Sequence, residues 1–307
     1  MSDTKEYTPK LIVIVGPTAV GKTDISVKLA KAFGCSIISA DSRQCYKEMT
    51  IGTAKPAQHE MDGVAHYFVN DRSIERPTTA GIFANEALSI LENTFSNNDV
   101  AILSGGSGLY VDAVCKGLDA MPNVDAKIRV KLNKRFESEG ITHLLDELKI
   151  CDPDYYALVD KGNPHRIIRG LEIFLGSGSK YSSFRTQRFG MNDFEMVKIG
   201  LDRPREELYA RINSRMDKML ENGLEQEAKE LYPKRHLQAL QTVGYSEIFG
   251  YFDGNYDRTE MVRLLKRNSR RFAKRQLTWF RRDQEIKWFN PSNENEIIKY
   301  LSERLDT

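Results

Sequence analysis

A chain of 307 residues is long enough for one large α/β domain with an insertion or for two domains, and its 40% hydrophobic and 29% charged residues are those of an ordinary soluble protein. No run approaches the roughly 18 apolar residues of a membrane span and the N-terminus has no signal-peptide core, so a cytoplasmic protein is expected; a monomer is the separate expectation for its assembly. The formal net charge of +2 marks no nucleic-acid binder by itself; the four cysteines and five histidines neither pair as C-x-x-C nor cluster, so free thiols and no structural zinc are expected.

The first apolar β-branched run, Leu11 to Val15, leads into Gly16-Pro17-Thr18-Ala19-Val20-Gly21-Lys22-Thr23, and a helical pattern follows in which Ile25, Leu29, Ala30 and Phe33 recur every three or four residues. In this strand-loop-helix setting G-x-x-x-x-G-K-[ST] has a mechanical meaning: the glycines let the backbone curl so that amide N–H groups and the helix N-terminus converge on a polyphosphate. Lys22 would reach the terminal phosphates and the Thr23 hydroxyl would ligate magnesium. The plain alternative is an ordinary glycine-rich turn, and the loop does not say which phosphate compound it holds. Ser36 to Ala40 reads as a second buried strand that ends at Asp41-Ser42-Arg43-Gln44, placing Asp41 near the phosphates if the sheet is doubly wound. Val64 to Val69 reads as a third strand, Thr79 to Phe95 as a helix, and Val100 to Leu103 as a fourth strand running into Ser104-Gly105-Gly106-Ser107-Gly108. This alternation predicts an α/β fold with a P-loop NTPase-like parallel sheet flanked by helices.

From Met121 to Phe194 the pattern is helical, then Met196 to Leu201 reads as a strand returning to the sheet. The expected layout is therefore a core over 1–120, an all-helical insertion over 121–195, and a return to the core over 196–307. Helices are predicted over Arg205 to Asn222, stopped by Gly223, and over Leu224 to Tyr232, before Pro233. A long helix covers Arg258 to Arg282; Ile286 to Phe289 reads as the last strand, and a terminal helix follows. From Arg263 to Arg282 the long helix holds nine cations and no acidic residue. Arg263, Arg267, Arg270 and Lys274 share one face, and Leu265, Phe272 and Trp279, seven apart, are expected to supply the apolar one. Such a run is either a solvated face or a contact for phosphate; nine like charges repel unless an anion is near, which favours the contact.

Together these motifs resemble the tRNA dimethylallyltransferases, or tRNA isopentenyltransferases. The matching segments are the phosphate loop, Ser39-Ala40-Asp41-Ser42 with Tyr46, Ile51-Gly52-Thr53-Ala54-Lys55-Pro56, Gly105-Gly106-Ser107-Gly108-Leu109-Tyr110, Arg166-Ile167-Ile168-Arg169-Gly170-Leu171-Glu172, Arg211-Ile212-Asn213-Ser214-Arg215, Gln241-Thr242-Val243-Gly244-Tyr245 and Ala273-Lys274-Arg275-Gln276-Leu277-Thr278-Trp279. The resemblance implies transfer of a dimethylallyl group from its diphosphate to the exocyclic amine of the adenosine 3′ to the anticodon, in tRNAs reading codons that begin with U. It further implies Mg2+ and an insertion that grips the anticodon stem-loop. Gly16 to Thr23 with Arg215 would bind the diphosphate; Asp41, Ser42, Arg43, Gln44, Ser107, Arg129, His165 to Arg169, Gln241 to Tyr245, Lys274 and Arg275 would contact tRNA. Three departures stand out: Ser107 replaces the family's usual threonine, Asn163-Pro164-His165-Arg166 lacks one of two adjacent cations, and Gly63 to Tyr67 lacks Pro-His-His.

An adenine amine is a poor nucleophile because its lone pair is delocalised into the ring, so a base is needed. By position Asp41 is equally a base, a helix cap or a holder of magnesium through water; the resemblance implies the base. Lys22, the loop amides, Thr23 through magnesium and Arg215 would stabilise the departing diphosphate. Ser107 would bond the base or its phosphate, or is a plain turn serine. The rival readings are a P-loop small-molecule kinase, which would consume ATP, a prenyltransferase acting on free AMP or ADP, and an RNA-binding ATPase.

Overall fold

The computed structural model describes residues 8–185 and 193–305. β1 (Lys10–Val15), β2 (Ile37–Ser39), β3 (His66–Tyr67), β4 (Val100–Gly105), β5 (Glu195–Leu201) and β6 (Lys287–Phe289) form one sheet, ordered β3-β2-β4-β1-β5-β6, with every pair parallel. The helices are α1 (Lys22–Phe33), α2 (Gln58–Met61), α3 (Ala80–Phe95), α4 (Gly108–Lys116), α5 (Ala126–Glu139), α6 (Ile141–Cys151), α7 (Pro153–Leu158), α8 (Pro164–Ser177) and α9 (Tyr181–Phe184). They continue with α10 (Arg205–Glu221), α11 (Leu224–Leu231), α12 (Tyr245–Phe252), α13 (Arg258–Phe280) and α14 (Glu294–Leu305). No described helix is long and apolar enough to cross a membrane.

The strands read as continuous apolar runs because helices cover both faces of the sheet. Side chains alternate across it: Leu11, Val13 and Val15 join one core with Ile38 and Leu103, while Ile12 and Ile14 join the other with Ile102 and Ile199. Parallel register then aligns the strand ends, with Val15 beside Gly105 and Gly200, and Ser39 beside Ser104. The loops after β1, β2 and β4 consequently open at one edge, where ligands bind in such sheets. The third strand is shorter than the Val64 to Val69 expected, because Phe68 and Asn70 take left-handed φ values of 59° and 63° that turn the chain out of the sheet.

Contacts divide the chain into two compact units, Met1–Lys116 with Met191–Thr307, and Gly117–Gly190. The second has its own core, in which Leu132, Leu144, Leu148, Tyr155, Ile167, Ile168 and Leu171 pack together. Asp152, fully buried, caps α7 at Tyr155 N and accepts from Ser182. Ile167 and Ile168 therefore offer no side-chain surface to RNA, contrary to the sequence expectation. The amphipathic α8 turns them inward and leaves His165 and Arg166 exposed.

Two expectations about α13 also need correction. Its buried residues are Met261, Leu265, Ser269, Ala273, Gln276 and Phe280, whereas Phe272 is 37% exposed. Trp279 is half-buried and packs against the same core as Leu265, so only Phe272 leaves the apolar face. The nine cations are also not without carboxylates. Arg263 pairs with Glu260, Lys266 with Asp217 and Arg281 with Asp202. Arg271, Lys274, Arg275 and Arg282 are exposed and have no carboxylate partner among the described residues.

Candidate active site

The phosphate loop leaves β1 and enters α1 at Lys22. Gly21 has φ 111°, a conformation that would strain a side chain, and Ala19 accepts φ 63° despite its Cβ. Arginines hold the loop's outer carbonyls: Arg203 Nε donates to Val20 O at 2.8 Å and Arg211 Nε to Ala19 O at 2.8 Å. The Lys22 ammonium donates to Gly16 O at 2.9 Å and Pro17 O at 2.8 Å. Burial lowers its pKa to about 8, with Asp41 pulling upward and Arg215 pushing further down. Arg215 donates to Thr18 Oγ1 at 3.2 Å and Ala54 O at 3.4 Å; burial lowers its pKa too, against the pull of Asp41.

Asp41 follows β2 and closes a turn, its Oδ1 accepting from Arg43 N at 2.9 Å and Gln44 N at 3.3 Å. No helix starts here, so Asp41 closes a turn and caps no helix, and the turn occupies one carboxylate oxygen of the two. Beside this turn Ser107 N donates to Ala40 O at 3.2 Å and Ser107 Oγ accepts from Ser42 N at 3.0 Å. Gly105 permits the approach, since a Cβ there would stand 2.1 Å from Ala40 O. Gln44 Nε2 donates to Thr53 O and Ala54 O at 3.2 and 3.1 Å.

Glu227, on α11, holds the start of the Ile51 to Pro56 motif. Its carboxylate accepts from Thr50 N, Ile51 N and Gly52 N at 2.8 to 2.9 Å and from the Tyr245 hydroxyl at 2.6 Å. Tyr245 is fully buried, and burial with Glu227 pushes its phenol well up, so it serves as a neutral donor rather than an RNA contact. Glu227→Ala is expected to lower stability by about 1–3 kcal/mol, because it strips the acceptor from three amides and a phenol. An unchanged urea midpoint would show that the carboxylate does not hold this loop.

A cavity of about 1110 Å³ gathers Thr18, Ala19, Gly21, Lys22, Thr23, Asp41, Ser42, Arg43, Gln44, Ser107, Arg215, Thr242, Val243, Gly244 and Arg275. Gly16, Pro17 and Val20 support it without lining it, and Gln241 is exposed, donating to His236 O at 3.3 Å. In the second unit Arg129 and Arg169 share the Glu172 carboxylate at 3.0 and 2.8 Å. Sequence reading missed Glu227, Arg203 and Gln276; only Gln276 left a signal, as a polar residue on the buried face of α13.

The Thr23 hydroxyl lines the cavity and makes no hydrogen bond among the described residues, where no cluster of three or more acidic, His or Cys side chains could cage a metal. That donor set fits magnesium, which keeps waters and takes phosphate oxygens.

Fold and site thus define a P-loop α/β protein that can hold a diphosphate facing a carboxylate. A profile of the IPP transferase family matches residues 44–283. A tRNA dimethylallyltransferase of Cytophaga hutchinsonii is 52% identical over 295 residues, 96% of this chain and 97% of its own. The full-length tRNA isopentenylpyrophosphate transferase from Bacillus halodurans superposes with TM-score 0.71 at 39% identity, covering 97% of both chains. A eukaryotic dimethylallyltransferase acting on tRNA gives TM-score 0.71 at 27% identity, over 89% of this chain and 70% of its own. The chain belongs to the IPP transferase family.

Proposed function

We propose that the protein transfers a dimethylallyl group from dimethylallyl diphosphate to the exocyclic amine of the adenosine 3′ to the anticodon, in tRNAs reading codons that begin with U. The observation carrying this reading is that the phosphate loop and the Asp41 carboxylate line one cavity. The loop amides, Lys22 and Arg215 bind the diphosphate, and Thr23 would hold magnesium with it. When bound, that ion offsets charge gathering on the diphosphate. The adenosine is swung out of the anticodon loop into the cavity. Its amine attacks the allylic carbon as the carbon–oxygen bond breaks, the bonding pair leaves with the diphosphate, and the amine proton passes to Asp41. Arg43 supports the RNA contact: its buried Nε has no acceptor among the described residues, an unmet donor of the kind a base or phosphate satisfies. Arg275 at the cavity and the exposed Lys274 meet the RNA backbone, and the insertion grips the stem-loop through His165 and Arg166.

Incubating the purified protein with dimethylallyl diphosphate, Mg2+ and unmodified tRNA should give prenylated adenosine on nucleoside mass spectrometry. ATP consumption without RNA alkylation would favour a kinase, and prenylation of free AMP or ADP would favour the nucleotide prenyltransferase.

A further inference from the structure

We infer that Gln276 is a positioning residue that sets the spacing between leaving group and nucleophile, and so decides whether the allyl group goes to the RNA amine or to water. The inference rests on the prenyl-transfer reading above. Gln276 is only 6% exposed and projects from α13 between the two glycine-rich turns. Its Oε1 accepts from Thr18 N in the phosphate loop at 2.8 Å, while its Nε2 donates to Gly106 O at 2.9 Å. The next residue, Ser107, is bonded to Ala40 O and Ser42 N on either side of Asp41. One side-chain amide therefore joins the diphosphate cradle to the turn that carries the base.

The helix behind this amide is itself fastened. Arg270 donates to Asn213 Oδ1 at 2.6 Å on α10, the helix of Arg215, and Trp279 Nε1 donates to Asp112 Oδ2 at 2.8 Å on α4. The bridge needs an acceptor and a donor on one group at one reach: asparagine is a carbon short, and glutamate has no donor for Gly106. Loosening it lets the two turns drift, and a misplacement near 1 Å costs about 100-fold in rate. As the allylic carbon–oxygen bond breaks, water then competes. Its oxygen bonds the carbon, its proton goes to solvent, and dimethylallyl alcohol and diphosphate are formed.

The test measures prenylated adenosine and dimethylallyl alcohol together, for wild type and Gln276→Asn, with dimethylallyl diphosphate, Mg2+ and unmodified tRNA at saturation. Rates are normalised to the folded fraction by circular dichroism. Gln276→Asn is expected to lose about 100-fold in transfer and to raise the alcohol-to-adenosine ratio by about tenfold, with both substrates still binding. A residue needed only for folding would leave that ratio unmoved. Gln276→Glu, which keeps the acceptor and the volume, replaces it if the asparagine variant does not fold. Wild-type rate and ratio in the folded fraction overturn the inference. A wild type that prenylates nothing refutes the underlying function instead.

Discussion

Asparagine in place of Asp41 is expected to lower the single-turnover rate of prenyl transfer by about 10²- to 10⁴-fold, the usual contribution of a positioned general base. The variant separates two roles that the turn combines. Asparagine keeps Oδ1 for the Arg43 and Gln44 amides, and it is among the residues that best form such turns. The geometry of the loop, the diphosphate affinity and the melting temperature should therefore be preserved, while the acceptor for the amine proton is lost. Rapid quench with saturating diphosphate and tRNA reads the chemical step directly. A wild-type rate would assign Asp41 to turn formation alone.

Lys22→Met is expected to reduce transfer by about 10²- to 10³-fold, because a cation aimed at the departing diphosphate acts where charge grows. It is also expected to stabilise the ligand-free protein. Burial lowers the Lys22 pKa in the folded chain to about 8, from an ordinary 10.5. Between these values the unfolded chain holds a proton that the folded one has released, so stability from this group rises with pH across that window. Below about 8 the buried ammonium costs on the order of 3 kcal/mol, which methionine removes. Urea unfolding at neutral pH should show the gain, and a loss of stability would contradict it. Bound diphosphate favours the charged form, so affinity in the natural protein should fall as pH rises through about 8. Lys22→Arg should flatten that fall.

The strand, the phosphate loop and the first helix were legible because each signal is contiguous: a β-branched run, a loop of fixed spacing, and a period of three to four. Asp41 was legible for the same reason, standing at the end of a short apolar run. Sequence alone thereby determined a parallel sheet with a polyphosphate loop and a carboxylate at one edge. Only the tertiary structure decided which charges are neutralised and which residues join the turns. Asp202 and Asp217 reach the basic helix from other elements, and Gln276 meets Thr18 across 258 positions. Periodicity reports which face of a helix is buried, not what it is buried against; the motif marks Tyr245 as an RNA contact, whereas in the fold its hydroxyl is spent on Glu227. Partners so distant are chosen by how helices stack on the sheet, and local sequence does not encode that packing.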